Sequence, residues 1–100
     1  MNKIIKELTI WDKKNDNYSG YLKVGIKDDS NLEMFGLDMG GMVKEVWAGE
    51  DYEYWLTINK EYKDAVLLWL IKERFDNDIK FKEWLDSKNI PSEFGNWIWH

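Results

Sequence analysis

At Asn59 the spacing of apolar residues changes, and no other feature narrows the fold of this chain as much. Before it, apolar side chains recur at every second position. In "YLKVGIK", Leu22, Val24 and Ile26 share one face, and Tyr21, Lys23, Gly25 and Lys27 share the other. That period belongs to a strand half buried on a sheet. "YEYWLTI" repeats it, with Tyr52, Tyr54, Leu56 and Ile58 opposite Glu53, Trp55 and Thr57. Beyond Asn59, "KEYKDAVLLWLIKERF" is built from good helix formers; Asn59 suits an N-cap, and Glu61 suits the positive end of the helix dipole.

Turn chemistry places the remaining elements. "DKKNDN" (Asp12 to Asn17) is a polar turn that makes "IIKELTIW" a hairpin partner for the strand after it, although Ile4, Ile5 and Leu8 would also suit a short helix. "DDSN" leads into "LEMFGLDM", the pair Gly40 and Gly41, and then "MVKEVWA". A second helix is predicted to begin near Asp76 or Asp78, with Phe81, Trp84 and Leu85 on one stripe. Asn89 suits the left-handed position at its end, Ile90 can fold back onto the last turn, and Pro91 stops continuation. "SEFGNWIWH" reads as a final strand with Trp97 and Trp99 on one face. Strands followed by helices predict an α+β fold, not alternating βαβ units: an antiparallel sheet of about four to five strands packed by two α-helices near the C-terminus. One domain over residues 1–100 is expected, with the first helix lying across the sheet and Trp69 and Trp84 in the core.

Several chemistries lack their residues. There is no cysteine, so disulfides, thiolate zinc sites and cysteine nucleophiles are excluded, and a reducing, cytoplasmic setting is expected. The apolar N-terminal stretch is broken by Lys6 and Glu7 before a signal-peptide core could form. The longest apolar run, Ala65 to Ile71, is seven residues, against the roughly twenty that a membrane helix needs. The single histidine is the terminal His100, a poor place for a catalytic base. Asp12, Asn15, Asp16 and Asn17 lack the spacing, central glycine and closing glutamate of a calcium loop, and Gly36, Gly40 and Gly41 match neither phosphate-binding spacing. Neighbouring acids such as Asp28 and Asp29 read as a solvated turn, not as a glycosidase pair. Neither enzymatic activity nor a metal or cofactor is expected.

Charge is unevenly spread. Residues 1–27 hold six lysines and three acids; residues 28–53 hold eight acids against Lys44 alone; and the whole chain carries −5. Such a surface repels phosphates, so direct nucleic-acid binding is not expected. The acidic segment runs into "EVWAGEDYEYWLTI", where acids and aromatics interleave. Trp55 has Glu53 and Thr57 as neighbours on its own strand face, which predicts an exposed ring. Aromatic anchors ringed by charge are typical of protein interfaces. The predicted partner-binding residues are therefore Trp47 and Trp55 for contact, with Tyr52 beside them, and Glu45, Glu50, Asp51 and Glu53 for the field. Their natural partner is a basic protein surface, and complementary charge would speed its association. An exposed tryptophan is also compatible with a homodimer.

In size, acidity, lack of cysteine and α+β order, together with "YEYWLTINKEYKDAVLLWLI" running into "FKEWLDSKNIPSEF", the chain resembles the small acidic immunity proteins that bacteria make against toxins, of the contact-dependent inhibition type. The resemblance covers about the second half of the chain and assigns no residue a role. It implies a cytoplasmic protein that binds a toxin domain, often a basic nuclease, and blocks its active site or substrate groove. A phage-encoded inhibitor of a host nuclease would use the same physics. A carbohydrate-binding module, which also presents tryptophan and tyrosine platforms, would differ in binding sugar without salt dependence.

Overall fold

The computed structural model describes residues 5–40 and 51–96. They fall into two compact units, one spanning Ile5–Lys63 and the other containing both α-helices. The predicted "MVKEVWA" element, with Glu45, Trp47 and Glu50, lies outside the described residues, as do Trp97 and Trp99.

The first unit is a meander of four strands, β1 (Glu7–Lys14), β2 (Tyr18–Ile26), β3 (Leu32–Gly40) and β4 (Asp51–Ile58), antiparallel and adjacent in chain order. The turns explain the order. Between β1 and β2, Asn17 N–H donates to Asn15 Oδ1 (2.9 Å) and Asn15 N–H to the Tyr18 carbonyl (2.7 Å), so an Asx turn starts the second strand. Between β2 and β3, Asn31 N–H donates to Asp29 Oδ1 (3.0 Å), and Ser30 takes a left-handed φ of 72°. Leu8, one of the residues that also suited a helix, is in β1.

Alternation assigns the two faces. Val24 is opposite Met34, and Met34 opposite Leu56; in the next row Ile26, Leu32 and Ile58 align. These residues form the apolar back face. β1 joins it through a bulge, because Leu8 pairs with Val24 while Trp11, three positions on, pairs with Leu22. Ile10 is the extra residue of the shift between Thr9 and Trp11; with an unshifted register Ile10 would pair with Leu22 and Trp11 would fall on the opposite face. Gly20, Gly25 and Gly36 are the buried positions of the sheet. At Gly36 the Tyr54 ring fills the space that a side chain would occupy, an aromatic cover for a bare stretch of backbone.

Asn59 does cap the segment after β4, though the first turn is a 3₁₀ turn over Lys60–Tyr62 before α1 (Lys63–Arg74) begins. Its Oδ1 accepts from Glu61 N–H at 2.9 Å, and Asn31 Oδ1 accepts from Lys60 N–H at 2.8 Å. The second unit holds α1 and α2 (Asp78–Ser87), with Asn77 as the α2 N-cap accepting from Lys80 N–H at 2.8 Å. α2 ends as its residues predict. Asn89 has φ 58°, and Asn89 N–H bonds the Asp86 carbonyl (3.1 Å) while Ile90 N–H bonds that of Leu85 (3.0 Å). This is a Schellman motif.

Within that unit Phe75, Phe81 and Trp84 pack together, with ring centroids 5.0 Å apart for Phe75 and Phe81 and 5.8 Å for Phe75 and Trp84. Trp84 is half-buried, but Trp69 is 60% exposed, with Lys72 Nζ 5.0 Å from its centroid. Apolar residues encircle α1, whereas α2 gives its unit a single partner helix, so the expected burial of Trp69 does not follow. The fifth strand is not found among the described residues: Pro91–Asn96 carries no strand. Pro91 brings no amide hydrogen to a ladder, and Gly95 has no side chain to pack.

Candidate functional site

The face opposite the apolar one, here called the front, carries the described part of the predicted site. Asp51, Glu53 and Trp55 alternate along β4 and so point to this face together. Trp55 is 67% exposed, as its polar strand neighbours require. β3 sets Phe35 directly beside Trp55, and Lys23 of β2 completes the row. The next row is Tyr21, Leu37 and Glu53, and on the other side Gly25, Glu33 and Thr57 align. Tyr21, Phe35 and Trp55 form much of a shallow depression, with Glu33 and Glu53 among its walls.

Electrostatics divides this surface. Lys27 Nζ lies 3.7 Å from Glu33 Oε1, and Thr57 Oγ1 donates to Glu33 Oε2 at 3.1 Å. Glu33 is thus engaged within the sheet. Lys27 also sits 4.7 Å from the Phe35 centroid, and Lys23 lies 5.0 Å from that of Tyr21, both within cation–π range. Asp51 and Glu53 are exposed and form no ion pair among the described residues. The front face is accordingly not uniformly acidic: its β4 margin is negative, and Lys23 and Lys27 border the aromatic centre.

Tyr52, expected to join the contact surface, lies on the back face, since it pairs with Asp38 and alternates with Glu53. There it stacks on Tyr54, ring centroids 5.4 Å apart. Tyr18 Oη donates to Asp38 Oδ1 at 2.7 Å, and this hydrogen bond, helped by burial and by the carboxylate charge, pushes the Tyr18 hydroxyl up to about 12. Burial is the main cause raising the Tyr54 hydroxyl, with Asp38 adding to it. These phenols stay protonated at neutral pH; Tyr18 acts as a donor and Tyr54 as a packing group.

Sequence reasoning missed Tyr21, Phe35, Lys23 and Lys27. Alternation alone places Tyr21 with Lys23 on one face of its strand, but only the register brings that face next to Trp55. Among the described residues no group of three or more His, Cys, Asp or Glu side chains is arranged to hold a metal ion, and no helix is long and apolar enough to cross a membrane. No family model, no curated protein and no solved structure matches this chain.

Proposed function

We propose that the protein is an immunity-type inhibitor that binds a basic partner, a toxin domain of the nuclease kind, through the β4 side of the front face, acting in the cytoplasm without cofactor or turnover. The observation that carries this reading is Trp55, an exposed indole preceded on its own strand face by two exposed carboxylates, Glu53 and then Asp51, that form no ion pair among the described residues. Trp55, with Phe35 beside it, supplies contact area. The acids supply field for a partner whose groove is built to hold phosphate, and an acidic strand occupying that groove would exclude nucleic acid.

The test uses the immobilised protein to capture partners from source-cell lysate, with elution by rising salt and an Asp51→Lys, Glu53→Lys variant in parallel. The captured species is then assayed for nuclease activity with and without the inhibitor. A basic nuclease released by salt, lost with the variant and inhibited stoichiometrically is the expected result. Partner binding and inhibition unaffected by the double charge reversal and by Trp55→Ala would overturn the assignment. Sugar binding indifferent to salt would instead favour the aromatic row Phe35 and Trp55 as a carbohydrate platform.

A further inference from the structure

We infer that the depression at Trp55 is a site for a guanidinium group, an arginine side chain of the basic partner laid flat on the indole with its N–H edge turned to Glu53. The inference rests on the basic-partner reading for the source of that arginine; the site itself stands on the geometry of the front face. The depression, about 260 Å³, has Tyr21, Phe35 and Trp55 as rings and Glu33 and Glu53 as carboxylates in its lining. Phe35 and Trp55 are direct cross-strand partners on antiparallel strands. Glu33, two residues before Phe35, and Glu53, two residues before Trp55, therefore flank the aromatic pair at opposite ends of the same face. A ring face with a carboxylate at its edge attracts cations twice over, through the ring quadrupole and through the full negative charge.

One half of this arrangement already holds a cation from the chain itself. Lys27 Nζ sits 4.7 Å from the Phe35 centroid and 3.7 Å from Glu33 Oε1. The local two-fold relation of an antiparallel pair carries Phe35 and Glu33 onto Trp55 and Glu53, so β4 repeats the ring and the acid that Lys27 occupies on β3. The β4 half is the more open to an outside cation. Trp55 is 67% exposed, tryptophan is the strongest cation–π ring, and no cation is paired with it among the described residues. Glu33 is held by Thr57 Oγ1, whereas Glu53 is opposite Leu37, whose side chain offers no hydrogen bond. Lys23 stands two strands from Trp55, about 10 Å and so about one Debye length at 0.1 M salt; its charge and that of Lys27 favour the β4 end for an incoming cation. A shallow site leaves an ammonium strongly hydrated, but a guanidinium is weakly hydrated, stacks flat on a ring and presents a fork of donors that matches a carboxylate.

The test needs no partner protein. N-acetylarginine methylamide is titrated to about 50 mM at constant ionic strength into the full chain, and the tryptophan indole N–H signals are followed by NMR, with Trp55 assigned by its loss in Trp55→Phe. The uncharged isostere N-acetylcitrulline methylamide and the corresponding lysine compound are the comparison ligands. A saturable shift of the Trp55 indole is expected with the arginine probe. Affinity is expected to be about tenfold weaker for the citrulline probe and for Glu53→Gln, weaker for the lysine probe, and unchanged in Asp64→Asn, which removes the same charge from the helical unit. Equal binding of the arginine and citrulline probes, an equal loss in Glu53→Gln and Asp64→Asn, or no shift of the Trp55 indole at the highest concentration would overturn the inference. Arginine binding at Trp55 together with a lysate that yields no basic nuclease would uphold this site and remove only the proposed partner; a captured nuclease together with no preference for arginine at Trp55 would overturn this site alone.

Discussion

Replacing Gly36 by alanine tests whether the Tyr54 ring and the backbone of β2 close over β3. A Cβ at this position would meet the Tyr54 ring, with the hydroxyl oxygen at 2.5 Å, and would lie 2.7 Å from the Tyr21 carbonyl oxygen. A tyrosine can swing aside, but it then leaves its stack on Tyr52; the carbonyl belongs to the neighbouring strand and moves only with it. Overpacking of this kind costs about 1–3 kcal/mol. Removing glycine from the unfolded chain returns about 0.4–1 kcal/mol. The net expectation is a loss of about 1–2 kcal/mol, seen as a melting point lowered by roughly 4–15 °C. Gly25 is the internal control: its Cβ would lie 3.1 Å from the Lys6 carbonyl oxygen and 3.5 Å from Glu7 Cβ, so Gly25→Ala should be markedly milder. Urea denaturation together with hydrogen exchange at β3 amides would read the sheet itself. In a Tyr54→Ala background the cost of Gly36→Ala should shrink without vanishing, because the Tyr21 carbonyl stays in place. Equal stability of the two glycine variants, or no coupling to Tyr54, would refute the packing argument.

Other outcomes depend on the same geometry. Tyr18→Phe removes a hydrogen bond to a carboxylate at a part-buried site and should cost about 1 kcal/mol at neutral pH. The raised hydroxyl of Tyr18 means that its stabilising contribution is complete below about pH 10, the unfolded value, and is lost as pH rises towards the folded value; the variant should lose less stability over that alkaline window in pH-dependent melting. Asn77→Ala deletes the acceptor of Lys80 N–H and should lower the stability of the helical unit by about 1 kcal/mol, measured by circular dichroism at 222 nm. At Asn89, where φ is 58°, glycine should be tolerated or stabilising, while valine should cost about 1 kcal/mol or more in the same assay. Trp55→Ala should weaken a captured partner by about 2 kcal/mol, roughly thirty-fold, with the dissociation rate carrying the change in surface plasmon resonance.

Much of the architecture was legible because it depends on short-range rules. The alternation in "YLKVGIK" and "YEYWLTI" marked two strands, and the capping residues Asn59 and Asn89 marked a helical start and a helical end where the hydrogen bonds stand. Legibility failed where a rule had competitors. "SEFGNWIWH" alternates like a strand, but through Asn96 it forms none, with Pro91 just before it and Gly95 inside it. Trp69 belongs to an apolar run and is nevertheless exposed, because composition reports what a residue favours and not what is opposite it. The bulge at Ile10 could not be anticipated, since alternation in one strand says nothing of the residue its neighbour must skip.

For the candidate site, the sequence by itself determined that Trp55 shares a strand face with Glu53 and Asp51 and that acids dominate this part of the chain, because side-chain direction along a strand is local and charge is additive. It also ruled out cysteine chemistry, through composition alone. Only the tertiary structure decided what stands beside Trp55: Phe35 and Lys23 arrive from strands twenty and more residues earlier. Register is the reason. It depends on turn geometry and on hydrogen bonding between strands, and a slip of one residue would exchange every neighbour of Trp55 while leaving the pattern within each strand unchanged.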